Sequence, residues 1–256
     1  MSSRACTKKA KLVHPPHDVS RLMDLKEEDI LGADIGRHWY YRSKAAALRR
    51  AVGRLHPKRL LDVGAGSGFF SRHLLAETDA QSALCVDIGY PADRDDSVAG
   101  KPVLYRRDSG PTDCDLVLMM DVLEHVDDDC GLVRLYADKV PGGAHFLVTV
   151  PAFQFLWSGH DVFLEHKRRY RLADIEKTMS DAGLEVVHGA YYFGAVFPLA
   201  AIVRLATRGD TTPKSSLSKQ GALTNGLLTL ACSAELPLFP FNRLAGLSAF
   251  VLAKKP

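Results

Sequence analysis

The sequence lacks both a cysteine pair and an apolar run long enough to cross a bilayer. Its 256 residues include five cysteines, none in a CxxC pair, which excludes a zinc knuckle and a disulfide framework and is typical of the reduced cytosol. The longest uncharged apolar run, residues 190–203, is about 14 residues long and contains Pro198, whereas a spanning helix needs about 20. We therefore expect a cytoplasmic protein, in contact with the inner face of the membrane at most.

The sequence also lacks a large excess of charge of either sign. The formal net charge of +3 is too small to predict a nucleic-acid partner. Residues 1–20 are basic but lack the apolar core of a signal peptide, so we expect a disordered tail there. The remaining length, residues 21–256, suits one α/β domain.

Apolar runs alternate with helical patterns along most of the chain. Continuous apolar runs predict buried strands, and apolar repeats at spacings of three and four predict helices. The predicted strands span residues 59–64, 83–88, 103–106, 116–120, 145–150, 184–187 and 247–253, and the predicted helices span residues 37–55, 69–77, 132–140 and 172–182. Residues 89–102 are acidic and contain glycine and proline, which predicts a loop. The alternation predicts a doubly wound, mostly parallel sheet.

A glycine-rich turn with Gly64, Gly66 and Gly68 lies between the first predicted strand and its helix. Backbone N–H groups and the helix N-terminus can hold an anionic group of a cofactor there, and larger side chains would block its approach. Phe69 follows directly, whereas the NAD pattern GxGxxG requires a small residue one place later. Asp87 ends the second predicted strand, where a carboxylate can accept both ribose hydroxyls of an adenosine. These residues predict an adenosine cofactor, either S-adenosylmethionine (SAM) or NAD(H).

Four motifs follow one another along the chain: residues 61–68, Asp87, residues 115–118 and residues 121–126. Together they resemble the motifs of class I SAM-dependent methyltransferases, in the ubiquinone-pathway-like or type 11-12 branch. The resemblance extends over residues 39–187. It implies a Rossmann-like, seven-stranded sheet with an antiparallel last strand, and SAM as the cofactor.

The resemblance also assigns cofactor contacts. The assigned residues are, in chain order, Trp39 and Arg42 (a cap over the cofactor), Asp62, Gly64, Gly66 and Gly68 (the methionine end), Asp87 and Ile88 (the ribose), Asp108 and Ser109 (the adenine), and Asp121 and Val122 (the wall beside the sulfonium). In the alternative interpretation, Asp62 and Asp121 only cap the turns that follow them, and Trp39 anchors the core.

The turn after the fourth strand also suggests a cation site. Asp121, Glu124 and His125 resemble the Glu-x-x-Glu-His motif with which ubiquinone-pathway and small-RNA O-methyltransferases bind Mg²⁺-like metals. Asp121 is one methylene shorter than the first glutamate of that motif, and many metal-independent methyltransferases share the Leu-Glu-His triplet. A divalent metal is therefore a possible cofactor but not the favoured one.

Residues 157–170 combine aromatic, charged and histidine side chains after the fifth strand. They resemble the Asp-x(4)-His-x-Arg-x-Tyr loop of methyltransferases that act on sugars, quinones and lipid-like acceptors. Since histidine titrates nearest neutral pH, His166 is the first candidate base, His125 is the second, and Asp161 orients the imidazole. The alternative interpretation gives His166 a purely structural hydrogen bond.

Residues 195–246 form a predicted helical insertion before the last strand. From residue 196 onward, the sequence contains seven Lys or Arg but two acidic residues, and long apolar runs lie between them. This composition favours a substrate lid that also contacts membrane or a lipid tail. A cover for the sheet edge or a homodimer interface is the competing interpretation.

The sequence therefore predicts methyl transfer from SAM to an oxygen, in preference to nitrogen or carbon, of a small or lipid-like acceptor. A catalytically silent SAM-binding partner subunit is the alternative. An NAD(P)-linked reductase is disfavoured because Phe69 follows the glycine turn and a Tyr-x-x-x-Lys pair is not recognisable.

Overall fold

A computed structural model describes residues 32–207, 212–213, 215 and 221–256. The predicted tail at residues 1–20 lies outside these residues. The strands are β1 (Arg59–Val63), β2 (Ser82–Val86), β3 (Arg94–Val98), β4 (Lys101–Arg106), β5 (Leu116–Met120), β6 (His145–Pro151), β7 (Glu185–Tyr192) and β8 (Ser248–Lys254). The α-helices are α1 (Trp39–Val52), α2 (Phe69–Glu77), α3 (Asp129–Ala137), α4 (Gly159–Phe163), α5 (Leu172–Asp181), α6 (Phe197–Ala206) and α7 (Ala222–Glu235).

The strands form one sheet in the order β3-β4-β2-β1-β5-β6-β8-β7. Strands β4, β2, β1, β5 and β6 pair in parallel, and β8 runs antiparallel between β6 and β7. This confirms the doubly wound, mostly parallel sheet with an antiparallel last strand. The carboxyl ends of the parallel strands meet at one edge, so the loops after β1, β2 and β5 lie side by side.

The expected count of seven strands is wrong by one, because residues 94–98 form the edge strand β3 rather than a loop. This strand pairs antiparallel with β4 across a tight turn at Ala99 and Gly100, both of which have positive φ. Its side chains are mostly exposed and charged, so it lacks the apolar pattern that indicates a strand. Ion pairs hold it in place, including Arg106 with Asp95 at 2.7 Å.

Two apolar cores cover the faces of the sheet. Helices α1 and α2 pack on one face through Leu48 and Leu74, both fully buried. Helices α3 and α5 pack on the other face through Val133 and Ile175. Every residue of β5 is buried, as expected for a central parallel strand that is covered on both sides.

The predicted insertion contains α6 and α7, which leave much apolar surface open. A third core joins its inner residues to the sheet through Phe193, Cys232, Phe239 and Phe250. In α6, by contrast, every residue is at least partly exposed. Across the described helices, none has the length and apolar character needed to cross a membrane.

Candidate active site

The glycine turn after β1 depends on backbone conformations that favour glycine. Gly64, Gly66 and Gly68 all have positive φ, between 51° and 76°. A Cβ at Gly64 would come within 2.7 Å of a Val122 methyl, and one at Gly68 would come within 2.9 Å of the Tyr105 hydroxyl. The turn therefore packs tightly against the end of β5 on one side and against β4 on the other.

Asp87, directly after β2, is hydrogen-bonded to this turn. One carboxylate oxygen accepts from the backbone N–H of Gly66 at 3.0 Å, and the other accepts from the N–H of Gly89 at 2.7 Å. Burial raises the pKa of the Asp87 carboxyl, and these two N–H donors partly offset the rise. Tyr90, which sequence reasoning missed, donates its hydroxyl to the Gly66 carbonyl at 2.6 Å. The chain itself thus fixes the carboxylate and the turn relative to each other.

The other positions assigned to the cofactor differ in their surroundings. Asp62 is buried and accepts from the Ser71 hydroxyl of α2. Ile88 is exposed, and Ser109 is buried with no hydrogen-bond partner for its hydroxyl among the described residues. Asp108 is largely exposed and pairs with Lys139 at 2.9 Å, which lowers the pKa of its carboxyl. Ser109 is thus better placed than Asp108 to face a bound group.

Asp121 forms a buried ion pair that the sequence did not predict. Lys44 of α1 is fully buried and donates to Asp121, and Thr149 donates to the other carboxylate oxygen at 3.0 Å. The Tyr40 hydroxyl lies 3.3 Å from Asp121 and 3.1 Å from the Lys44 ammonium. Burial alone would lower the pKa of Lys44, but the Asp121 carboxylate outweighs it, so the pKa is raised. The pair fixes α1 against the end of β5.

The two predicted cap residues, Trp39 and Arg42, lie on α1. The Trp39 ring meets Phe193 edge-on at 5.7 Å, and its backbone N–H donates to Asn225 of α7 at 2.8 Å. Arg42 lines a cavity of about 480 Å³ whose other lining residues are Gly36, Ala45, Phe69, Arg72 and His73. Trp39 thus takes part in a contact between α1 and the insertion, and Arg42 borders open space beside the start of α2.

A cluster of chemistry-bearing side chains forms where the turn after β5 meets the loop after β6. Ligand atoms of Glu124, His125 and His166 all lie within 4.8 Å of one another, and the two imidazole rings meet edge-on at 4.9 Å. Glu124 is fully buried, and neither carboxylate oxygen has a hydrogen-bond partner among the described residues. Asp121, expected beside Glu124 and His125 in a metal set, bonds to Lys44 instead, and His166 takes its place in the cluster.

Asp161 holds His166 in one orientation. The imidazole Nδ1 lies 2.9 Å from Asp161 Oδ1, and Arg169 donates to both oxygens of the same carboxylate at 2.6 and 3.1 Å. Burial would raise the pKa of Asp161, but His166 and Arg169 outweigh it and lower the pKa below its usual value. An ionised carboxylate only accepts, so Nδ1 of His166 donates to Asp161, and in the neutral form of the imidazole the lone pair is on Nε2.

The loop that carries His166 is fastened to the turn after β5. The Lys167 N–H donates to the Glu124 carbonyl at 2.8 Å, and the Tyr170 hydroxyl donates to the Leu123 carbonyl at 3.1 Å. Arg168 donates to the Val126 carbonyl at 2.8 Å. Arg168 and Arg169 therefore hold this loop in place through hydrogen bonds within the protein.

Helix α6 of the insertion lies over this loop. The Phe197 ring meets Phe153 at 5.5 Å. Burial and the charge of Arg169 lower the pKa of the Arg204 guanidinium, and the Asp161 carboxylate partly offsets the decrease. Burial, together with the charge of His166, lowers the pKa of His160 to about 3. The insertion thus covers the same end of the sheet as the cluster.

This combination of fold and site defines a class I methyltransferase: a doubly wound sheet with a glycine turn, an acidic residue after β2 and a covered polar cluster after β5. The family model described as a methyltransferase domain matches residues 37–189, which is more than half of the chain. The chain belongs to this methyltransferase family, and its cofactor is SAM. A search of curated proteins found no significant match.

Solved structures support the fold. The Haloferax volcanii methyltransferase solved in complex with the Trm112 methyltransferase activator is 17% identical, with a TM-score of 0.52 over 91% of this chain and 93% of that one. A SAM-dependent methyltransferase from Archaeoglobus fulgidus is 17% identical, with a TM-score of 0.50 over 90% and 98%. The [4+2]-cyclase SpnF is 15% identical, with a TM-score of 0.51 over 85% and 82%. At these identities the likeness extends to the fold alone, so the reaction must be argued from the site.

Proposed function

We propose that the protein transfers the methyl group of SAM to a hydroxyl oxygen of a small or lipid-like acceptor, with His166 as the general base. The observation that carries this proposal is the Asp161–His166 contact at 2.9 Å, which leaves Nε2 as the atom able to take a proton. Bound SAM would supply the methyl group, and its sulfur would take up the electrons of the broken carbon–sulfur bond as the acceptor oxygen bonds to the methyl carbon. The hydroxyl proton passes to Nε2 of His166. His125, the second candidate base, lies beside it.

The cofactor is proposed to lie across the ends of β1, β2 and β5. Gly64, Gly66 and Gly68 would face its methionine end, and the position of Val122 against Gly64 supports a wall beside the sulfonium. Asp87 retains acceptor capacity for the ribose hydroxyls because each of its oxygens accepts only one backbone N–H.

Around that position, other side chains complete the proposed cofactor site. Ile88 and Ser109 would face the ribose and the adenine, with the exposed Asp108 at the rim. Asp62 would support the turn through Ser71. Asp121 would stand near the sulfonium, and Trp39 and Arg42 would cover the cofactor from α1.

His166→Asn tests the base most sharply, since the asparagine amide can still donate to Asp161 but cannot take a proton. We expect turnover with hydroxyl acceptors to fall about 10²- to 10⁴-fold, with SAM affinity unchanged. The readout is methyl transfer from labelled SAM to matched hydroxylated and carboxylated lipids. A carboxylate acceptor needs no base, so undiminished turnover in His166→Asn would contradict the hydroxyl proposal.

The insertion, residues 195–246, is proposed to be a lid that touches lipid. Leu223, Leu227 and Leu230 stand on one face of α7 and are 59–78% exposed, and Leu199 and Ile202 of α6 are 65–66% exposed. The excess of Lys and Arg from residue 196 onward suits an anionic membrane surface, such as the inner face of the membrane.

A vesicle experiment tests this part of the proposal. Replacement of Leu223, Leu227 and Leu230 by serine should abolish co-sedimentation with anionic vesicles at low salt and leave SAM binding intact. A wild-type protein that stays in the supernatant, or that forms a stable dimer through this face in analytical ultracentrifugation, would favour the dimer interface.

A catalytically silent partner subunit is the second candidate, and the same exposed apolar face favours it. Such a chain would bind SAM through the turn at Gly64 and transfer no methyl group alone. Turnover that appears only after a second protein is added would support this candidate over the first.

A further inference from the structure

We infer that Arg204 of α6 binds an anionic group of the acceptor, so that the preferred acceptor is a hydroxylated, lipid-like molecule with a carboxylate or a phosphate. The inference rests on the proposed function, because it takes the end of the sheet that carries His166 as the place where the acceptor binds. It adds to that function the charge of the acceptor and the residue that recognises this charge.

Helix α6 carries its charge on its inner face. Arg204 is the one charged residue of this helix. The partly buried residues follow spacings of three and four and therefore share one face: Phe197, Ala200, Ala201 and Arg204. The large apolar residues on the other sides are 50–66% exposed: Leu199, Ile202, Val203 and Leu205. A surface helix ordinarily has apolar residues inward and charged residues outward, so the reversed arrangement indicates that the cation serves the inner side.

The N-terminal end of α6 is held in place over the site. Directly before the helix, Glu235 of α7 accepts from the two backbone N–H groups of residues 194–195 at 2.8 and 3.0 Å. The Phe197 ring contacts Phe153, which belongs to the loop after β6, at 5.5 Å. Arg204 follows Phe197 by seven residues, which is about two helical turns, so both side chains lie on the side that faces this loop.

Arg204 lies among the charges of the loop that carries His166. Burial and the charge of Arg169 lower the pKa of Arg204, and Asp161 partly offsets the decrease. Burial and the charge of His166 lower the pKa of His160, and Arg204 adds to that decrease. Because charge interactions weaken with distance, these effects place the guanidinium beside the histidine pair and the carboxylate that orients His166.

The described residues give this end of the site an excess of positive charge. The two guanidinium groups of Arg169 and Arg204 lie beside one ionised carboxylate, Asp161. Glu124 adds little negative charge, because burial and the nearby Asp121 raise its pKa well above the usual value. Asp121 is itself part of an ion pair. A bound oxyanion would balance the excess, and the planar fork of a guanidinium matches a carboxylate or a phosphate.

The two faces of α6 together suit an amphiphilic acceptor. The outer apolar residues suit lipid, as proposed above, and the inner cation suits the polar end of the same molecule. Such an acceptor would present its hydroxyl to Nε2 of His166 and its oxyanion to Arg204. A neutral acceptor would leave the excess of positive charge as it is, so we expect it to bind more weakly.

The test measures binding to the full chain by calorimetry with the demethylated cofactor bound, so that no turnover occurs. The probes are hydroxydecanoate, hydroxydecyl phosphate and the neutral methyl ester of hydroxydecanoate, all below their micellar concentrations. We expect the wild type to bind an anionic probe about 10- to 100-fold more tightly than the neutral ester. The anionic probe that binds more tightly distinguishes a carboxylate from a phosphate.

Three variants locate the preference. Arg204→Gln should weaken binding of the anionic probe about 10- to 100-fold and leave binding of the neutral ester unchanged. Arg204→Lys, which keeps the charge but not the planar fork, should retain part of the preference. Arg50→Gln is the matched control, because Arg50 is exposed on α1 and its loss changes the net charge equally. It should bind all three probes like the wild type, and circular dichroism verifies that each variant is folded.

Two results would overturn the inference: a wild type that binds the neutral ester as tightly as both anionic probes, or an Arg204→Gln variant that keeps the wild-type ratio between them. Turnover separates this inference from the proposed base. If Arg204→Gln loses the anionic preference but His166→Asn turns over like the wild type, the anion site stands and the base is wrong. If His166→Asn is inactive but the wild type has no anionic preference, the base stands and the anion site is wrong.

Discussion

At the cofactor end of the site, the chain supplies hydrogen-bond partners for its buried carboxylates, whereas at the acceptor end it leaves one buried carboxyl group without a partner among the described residues. Asp87 accepts two backbone N–H donors, and Asp62 accepts the Ser71 hydroxyl. At the same sheet edge, where the turn after β5 meets the loop after β6, Glu124 and the Nε2 atom of His166 are buried without hydrogen-bond partners in the described part of the chain.

We relate this difference to the separate functions of the two ends, cofactor binding and acceptor chemistry. A cofactor loop that binds the same molecule in every cycle gains from being fixed in advance, because little is then lost on binding. Buried groups left unpaired destabilise the fold and are retained where a ligand or a reacting atom completes them. The acceptor end is therefore where we place the chemistry of methyl transfer.

The largest effect is expected from turning a paired group into an unpaired one. Lys44→Met leaves Asp121 buried without its cation, as Glu124 already is. We expect a loss of about 3–5 kcal/mol in the free energy of unfolding, measured by urea denaturation. Lys177→Met, which breaks an exposed pair with Asp181, should cost about 0.5 kcal/mol or less. Similar losses in the two variants would contradict a structural role for the Lys44 pair.

The next effect concerns the backbone of the cofactor end. Gly64→Ala introduces a Cβ at positive φ and against Val122, for an expected loss of about 2–4 kcal/mol and weaker cofactor binding. Gly100→Ala is the control, since its φ is also positive but no atom lies within 4 Å of the added Cβ. Its loss, about 1–2 kcal/mol, isolates the backbone contribution. If both variants lose the same amount, the packing against Val122 is unimportant.

The smallest effect is a pH dependence that originates at the acceptor end. The pKa of His160 is lowered to about 3 by burial and by the nearby charge of His166, so the unfolded chain binds a proton more readily between pH 6.5 and pH 3. Stability is thus full above pH 6.5 and falls as the pH drops. The expected loss from this group is about 2 kcal/mol between pH 7 and pH 5. His160→Asn should flatten the profile, and His188→Asn should keep the wild-type slope. An unchanged slope in His160→Asn would locate the dependence elsewhere.

The same comparison shows what could be predicted from the sequence. The strands β5 and β6 and the glycine turn carry local signals, apolar runs and glycines, that need no knowledge of the tertiary structure. Strand β3 was missed because its exposed, charged residues resemble a loop. Lys44 was missed because a lysine within a helix is ordinarily exposed, and only packing against the end of β5 buries it.

The active-site cluster lies between these cases. His125, Asp161 and His166 were candidates from their residue types, but that Glu124 faces His166 follows from the fastening of two loops 40 residues apart, as in the Lys167–Asp127 ion pair. No local pattern encodes that contact. The contact of Asn225 with α1 is of the same long-range kind.

The central claim is that the turn at Gly64 and the carboxylate of Asp87 hold the cofactor, and calorimetry with S-adenosylhomocysteine, the demethylated product of SAM, tests it most directly. The account predicts one site per chain in the wild type and about 10- to 100-fold weaker binding in Asp87→Asn, which loses a charged acceptor for the ribose hydroxyls. Wild-type protein that does not bind, or Asp87→Asn that binds equally well, would contradict it.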